Sequence, residues 1–378
     1  MIVSVKRLSL LALLAFSLFI SGCINVSSGN SVNEATQMAF KLTQMAFEMQ
    51  ANAATSEAQL VELATPAGED GLDSEQPAVV DQQAPVVQQA SSFGTPQLWT
   101  QAVCHQGCYL ADVTGDGKVD FIAHDNDGIY VLPSTGTGFG PHTNWTGGAL
   151  YYHHGIYFKD VTGDGKADLI VHDNDGMNIM PSTGTGFAKH TNWTGGKALY
   201  YDIGIHFADV TGDGKADLIV HDNNGMNVMP SIGTEFAKHT NWTGGQALYY
   251  DIAVHFADVT GDGKADLIVH DNNGMNVMPS TGTEFAKHTN WTGGQALYYD
   301  IAVYFADVTG DGKADLIVHD NDGLNVMPST GTEFARHTNW TGGPVACDYG
   351  CYFMDATGDG RADFIAHDKK GTYVLPAQ

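Results

Sequence analysis

The chain is 378 residues long and carries 43 acidic against 17 basic side chains, a formal charge of −26. A balance this acidic leaves no electrostatic footprint for DNA or RNA, which excludes nucleic-acid binding. The length allows more than one domain, and 45 glycines and 15 tyrosines in a chain with only 16% charged residues suit an all-β protein rich in turns.

From the N-terminus, residues 1–23 read as a targeting segment rather than as part of a fold. Lys6 and Arg7 open it, and Leu8 to Ile20 form an apolar run of 13 residues, short of the roughly 20 that span a bilayer. The run closes on Ile20-Ser21-Gly22-Cys23, which resembles the bacterial lipobox. That resemblance implies that Cys23 becomes the lipidated first residue of the mature chain. Ile24 after it implies release to the outer membrane, so a periplasmic or surface-exposed lipoprotein is expected, touching the membrane only through its lipid.

Residues 24–32 are a polar tether. From Asn33 to Leu63 the pattern is helical, and Met38, Leu42, Met45 and Met49 are spaced 4-3-4. This seam is only about two heptads long. Copies of the chain could associate through it, but the simpler reading is an amphipathic helix that is marginal alone. Residues 64–93, with Pro66, Pro77 and Pro85, read as a flexible linker.

From residue 94 to the end the sequence repeats. Asp258-Val-Thr-Gly-Asp-Gly-Lys-Ala-Asp266 has counterparts beginning at Asp112, Asp160, Asp209, Asp307 and Asp355, at intervals of 48 or 49 residues. A fixed period of this size marks a repeat architecture. Loop positions 1, 3, 5 and 9 carry side-chain oxygens, and glycines at 4 and 6 let the backbone turn tightly. Three carboxylates within nine residues repel one another unless a hard cation lies between them, and Ca²⁺ accepts such oxygens in loose geometry. The expected cofactor is therefore about six structural Ca²⁺ ions. Their ligands would be Asp112, Thr114, Asp116 and Asp120; Asp160, Thr162, Asp164 and Asp168; Asp209, Thr211, Asp213 and Asp217; Asp258, Thr260, Asp262 and Asp266; Asp307, Thr309, Asp311 and Asp315; and Asp355, Thr357, Asp359 and Asp363. An EF-hand is excluded, because its position 12 needs Glu and is here Ala123, Val171, Val220, Val269, Val318 or Ala366.

The loop flanks are β-branched and aromatic, which predicts strands. Each unit offers strand A (Val254–Ala257 in the fourth copy), strand B (Asp266–His270), strand C (Met275–Pro279) and strand D (Phe285–Thr292). The B–C link, Asp-Asn-Asn-Gly or Asp-Asn-Asp-Gly, is a tight hairpin signal. Four short strands per unit match one propeller blade, so the expected fold is an all-β, six-bladed β-propeller. The last unit ends at Tyr373-Val-Leu-Pro376 without a strand D, and Gln97-Leu-Trp-Thr-Gln101 precedes the first strand A. That N-terminal strand should complete the last blade and remove both sheet edges. Besides Cys23 the chain has Cys104, Cys108, Cys347 and Cys351, two C-x₃-C pairs at equivalent places in the first and last units. In an exported protein these favour disulfides. The local pairs Cys104–Cys108 and Cys347–Cys351 compete with pairings across the closure, and the local ones need no help from it.

The six loops resemble the FG-GAP (VCBS-type) repeats of integrin α-subunit propellers and of secreted bacterial and fungal propellers. The resemblance covers about residues 94–378. It implies that the loop joins the first two strands of a blade and that the carbonyl of position 7 also binds Ca²⁺: Lys118, Lys166, Lys215, Lys264, Lys313 and Arg361. Thr at position 3 departs from the commoner Asp or Asn and should weaken affinity. The Gly-Ala-Pro element is absent, so integrin-type partners are not implied. Near-identical blades are similar to those of propeller lectins, which bind sugars around the ring.

Propeller topology gathers the B–C turns and D–A connections on the face opposite the loops. Sugars present an apolar C–H face and a rim of hydroxyls, which an aromatic ring and fixed Asp, Asn or His groups can meet. The candidates are Trp145, Trp193, Trp242, Trp291 and Trp340; His172, His221, His270 and His319; Tyr201, Tyr250 and Tyr299; and Asp222 and Asp271. Against this, the tryptophans have a packing role between blades open to them, and the His-Asp pairs, including His124 and His367, suit strand-end hydrogen bonding. No Gly-x-Ser-x-Gly or His-Glu-x-x-His occurs, and repeated polar groups favour multivalent binding over catalysis. The expected function is a multivalent carbohydrate-binding, lectin-like propeller and not an enzyme; the alternative is a scaffold that binds a surface protein.

Overall fold

The computed structural model describes residues 91–378 apart from 103, 200, 202, 246, 247, 249–251, 295, 296 and 298. The targeting segment, Cys23, the helix expected over 33–63, most of the linker and Tyr250 lie outside the described residues. Among the described residues there is no helix; 24 strands form six four-stranded sheets.

The fourth blade illustrates the plan. Ala253–Ala257, Asp266–Asp271, Gly274–Met278 and Thr289–Asn290 are its strands A to D, each antiparallel to the next. Strand B reads Leu-Ile-Val without alternation because both its faces are covered: Leu267, Ile268 and Val269 are all buried. Each hydrophobic core lies between two blades. Ile170, Met177, Ile179 and Trp193 of the second blade, for example, pack against Phe207, Leu218, Val220 and Phe236 of the third.

Strand D is much shorter than expected: Thr289–Asn290 in place of Phe285–Thr292. The reason is the Asn-Trp-Thr motif, which builds a turn. Asn290 Oδ1 accepts the Thr292 and Gly294 N–H groups, its Nδ2 donates to Asn273 O, and Thr292 Oγ1 accepts the Met275 N–H. The motif thereby fastens the B–C turn. Gly176, in the equivalent turn of blade two, has φ +107°, and an added Cβ would sit 1.8 Å from Thr194 Oγ1.

The ring closes as the repeat ends predict. Gln97–Thr100 pairs antiparallel with Gly371–Leu375 and completes the sheet of Gly350–Met354 and Asp363–Asp368. Closure begins a little before residue 94, since Phe93 bridges Ala377 and Ser91 N donates to Gln378 O. The loops carry the seal around the ring. The N–H of loop position 8 donates to the position 1 carbonyl of the preceding blade, from Ala167 to Asp112 through Ala362 to Asp307, and Val119 to Asp355 joins first to last at 2.7 Å.

Candidate functional site

Two surfaces merit attention, one at each end of the blades. On the first, the A–B loops form acidic corners. In blade four, Asp258 Oδ1 accepts the Gly261 and Asp262 N–H groups and Oδ2 the Gly263 N–H. Asp266 is fully buried and receives three backbone N–H groups, from Val259, Thr260 and Ser280. Asp262 faces Lys264, whose Nζ lies 2.8 Å from its Oδ2. The other five corners hold the same position 5 to position 7 ion pair, at 2.7–2.8 Å. The stem of the position 7 lysine also reaches the preceding blade: a Cβ on Gly261 would meet Lys313 Cγ at 2.6 Å.

Burial pushes the position 9 carboxyls up to about 6 at Asp120, Asp168, Asp217, Asp266 and Asp315, although backbone N–H groups pull the other way; Asp363 is raised for the same reason. The oxygen donors suit a hard cation chemically. Among the described residues, however, one group of three His, Cys, Asp or Glu ligand atoms lies within 4.8 Å of one another, and it is not in a corner. The corners close on lysine or arginine instead, and an ion would have to open those pairs.

On the opposite end, B–C turns and D–A connections meet. His105 Nδ1 lies 2.9 Å from Asp125 Oδ1, and His153 pairs in the same way with Asp173. Where those histidines stand in blades one and two, blade five has Asp300, which accepts the Asn321 N–H and donates its own N–H to Asp320. Asp125 is held below the usual carboxylate range, first by the Asn126 N–H and also by His105. Burial raises Asp320, whose neighbours include Asp300 and Asp322.

The expected ligand residues are distributed as follows. Trp145, Trp193, Trp242, Trp291 and Trp340 are only 3–6% exposed. Trp145, Trp193, Trp242 and Trp291 stand edge-on to Phe187, Phe236, Phe285 and Phe334 of the next blade, with centroids 5.3–5.4 Å apart. Each Trp Nε1 donates to a threonine two residues earlier, as Trp291 does to Thr289. These rings plug the blade interfaces and offer no face to a ligand. His172, His221, His270 and His319 are buried at 0–2% exposure. Tyr201 and Tyr299 lay their rings against His172 and His270, and Asp222 and Asp271 accept the Asn224 and Asn273 N–H groups in the turns. Of this set, Tyr201, Tyr299, Asp222 and Asp271 reach the rim; the tryptophans and histidines do not.

The structure brings a different group together. A cleft of about 350 Å³ between blades one and two is lined by Tyr151, Asp173, Asp175, Asn178 and His190, among others. Tyr151 is 84% exposed, the most open large apolar side chain described. Asn178 Nδ2 donates to Asp175 Oδ1 at 2.9 Å, leaving the carboxylate fixed at the cleft wall. The repeat places Asp222, Asn224, Asn227 and His239 at the equivalent positions of blade three, and Tyr200, Tyr249 and Tyr298 at that of Tyr151. The signal was present in the Tyr-Tyr pairs: Tyr152 turns in against His124, so its neighbour Tyr151 is the one left outside.

A family model for the FG-GAP-like repeat matches residues 112–171, 160–220, 209–269, 258–318 and 307–366. No curated protein sequence matches. Among solved structures, a lectin of Agrocybe aegerita, described as recognising non-reducing terminal N-acetylglucosamine, is 23% identical with a TM-score of 0.53; the match covers 78% of this chain and 92% of the lectin. A component of the Photorhabdus luminescens Tc holotoxin pore is 18% identical with a TM-score of 0.59, over 76% of this chain and 15% of that one. At these identities the likeness is one of fold.

Proposed function

This chain belongs to the FG-GAP-like repeat family, and from that premise we propose that it is a calcium-stabilised propeller that binds carbohydrate at several equivalent inter-blade clefts. The observation that carries the reading is the cleft of Tyr151, Asp173, Asp175, Asn178 and His190. It joins an exposed ring, able to stack on the C–H face of a sugar, to carboxylate, amide and imidazole groups able to meet hydroxyls. Small-molecule sites combine apolar walls with a few placed polar groups in this way. Repetition of the cleft lets weak sites gain avidity by linkage. Binding to a glycan array, inhibited by a free monosaccharide and weakened by Tyr151→Ala and Asp175→Ala, supports the reading; an array without hits overturns it.

Calcium is the second part of the proposal. Each corner spends buried charge on its position 9 aspartate, and a divalent ion held by positions 1, 3, 5 and 9 with the position 7 carbonyl would offset it. At Asp258 to Asp266 this requires Lys264 to release Asp262. Export and lipidation at Cys23 complete the proposal; a fatty-acid label incorporated by the wild type and not by Cys23→Ala would support them.

A protein-binding scaffold is the second reading, and one observation favours it. Ile203, Ile252, Ile301 and Tyr349 occupy one repeat position in four consecutive blades and are 39–64% exposed. An apolar arc of this kind suits a protein surface. A flat glycan array together with a partner lost on Ile252→Asp and Ile301→Asp would favour it.

A further inference from the structure

The seam between the first and last blades holds a group that neither the sugar clefts nor the acidic corners use. Cys104, Cys108 and His367 are the described residues whose three ligand atoms all lie within 4.8 Å of one another. Cys104 and Cys108 form a disulfide, as do Cys347 and Cys351. His367 Nε2 is 3.3 Å from Cys108 Sγ, and its Nδ1 is 2.8 Å from the hydroxyl of the fully buried Thr372. Thr372 therefore fixes the ring with Nε2 directed at sulfur. A hydrogen-bonded far nitrogen is the usual support of a metal-binding imidazole.

The repeat explains how sulfur comes to that place. The strand B histidine of one blade faces the residue eight before the next loop. Between blades one to five that residue is a tyrosine, as with His124 and Tyr152 or His172 and Tyr201. Between blades five and six it is Cys347, near His319, but among the described residues Cys347, Cys351 and His319 do not bring three ligand atoms within 4.8 Å of one another. At the seam it is Cys104, and Cys108 stands where the inner blades carry Ile156, Ile205, Val254 or Val303. Both cysteines and His367 line a cleft of about 620 Å³, so a reductant and an ion can reach them.

We propose that reduction of Cys104–Cys108 converts this seam into a three-ligand site for a thiophilic divalent cation such as Zn²⁺. A trialkylphosphine supplies the two electrons: phosphine, water and the disulfide give the phosphine oxide and two thiols. The ion then binds both sulfurs and His367 Nε2, displacing the two thiol protons. Two thiolates, one imidazole and an open fourth position suit Zn²⁺ or Co²⁺. Because the cysteines belong to blade one and the histidine to blade six, the ion would tie the ring shut across its seam.

The test uses the full chain with Cys347→Ser and Cys351→Ser, reduced with phosphine and titrated with Co²⁺ without air. One equivalent of Co²⁺ should bind with a thiolate-to-metal charge-transfer band, be displaced by Zn²⁺, and raise the thermal midpoint of the reduced protein. His367→Gln should lose the band or bind at least tenfold more weakly. Thr372→Val, which keeps all three ligands, should weaken binding about 10- to 100-fold. Absence of the band in the reduced parent overturns the proposal, as does a band of unchanged affinity in both His367→Gln and Thr372→Val.

Discussion

Trp340 stands edge-on to Phe93, with centroids 5.2 Å apart and planes at 60°. The two residues come from opposite ends of the repeat array, yet the contact reproduces the Trp–Phe pair found at the other interfaces. Trp99 does the same with Phe139 at 5.2 Å. The short N-terminal piece thus supplies both aromatic groups that the last blade lacks. Phe93→Ala should cost about 3–5 kcal/mol in urea unfolding, the range for emptying an aromatic core position. A loss below about 1 kcal/mol would show that the seam does not depend on it.

The position 9 carboxylate is the polar pivot of each corner. Asp266 accepts N–H groups on both oxygens, so Asp266→Asn must turn an NH₂ group toward a backbone donor. The expected loss is about 1–3 kcal/mol, the cost of a buried donor left unpaired. Thermal or urea unfolding of this single variant measures it, and an unchanged midpoint would contradict the assignment.

Calcium should change how stability depends on pH. Burial raises the position 9 aspartates to about 6. Without an ion their contribution is whole below about pH 3.8 and is lost as pH rises through 6, because the folded state holds the extra protons. An ion bound to the ionised carboxylates reverses that trend. The difference in melting temperature between calcium and EDTA should therefore grow from pH 5 to pH 7. No difference at pH 7 would remove calcium from the account.

Histidine supplies an acid sensitivity of opposite sign. Burial lowers His206 and His255 to about 4. Their neutral forms are accommodated fully above pH 6.5, and that stability is lost as pH falls toward 4. Blades one, two, five and six carry Tyr109, Tyr157, Tyr304 and Tyr352 at this position. The double variant His206→Tyr, His255→Tyr should lose less stability than wild type between pH 7 and pH 4.5. Parallel melting curves for the two proteins would contradict this.

The ring was legible in the sequence because its period, its hairpin turns and its unmatched ends all specify one closure. The extent of strand D was not, since Asn290 and Thr292 spend their side chains on a turn that β-propensity does not register. The burial of the tryptophans was not legible for a related reason. Periodicity shows that Trp291 and Tyr299 recur, but which ring is covered depends on the next blade, where Phe334 meets the tryptophan. Tyr151 and Asn178 come together only when two blades are set side by side.

Calorimetric titration with the monosaccharide that best inhibits array binding tests the central claim most directly. The tyrosine of the cleft recurs at Tyr151, Tyr200, Tyr249 and Tyr298, so the account predicts about four sugars per chain, with one site lost in Tyr151→Ala. A single site, or a stoichiometry untouched by that substitution, would contradict it.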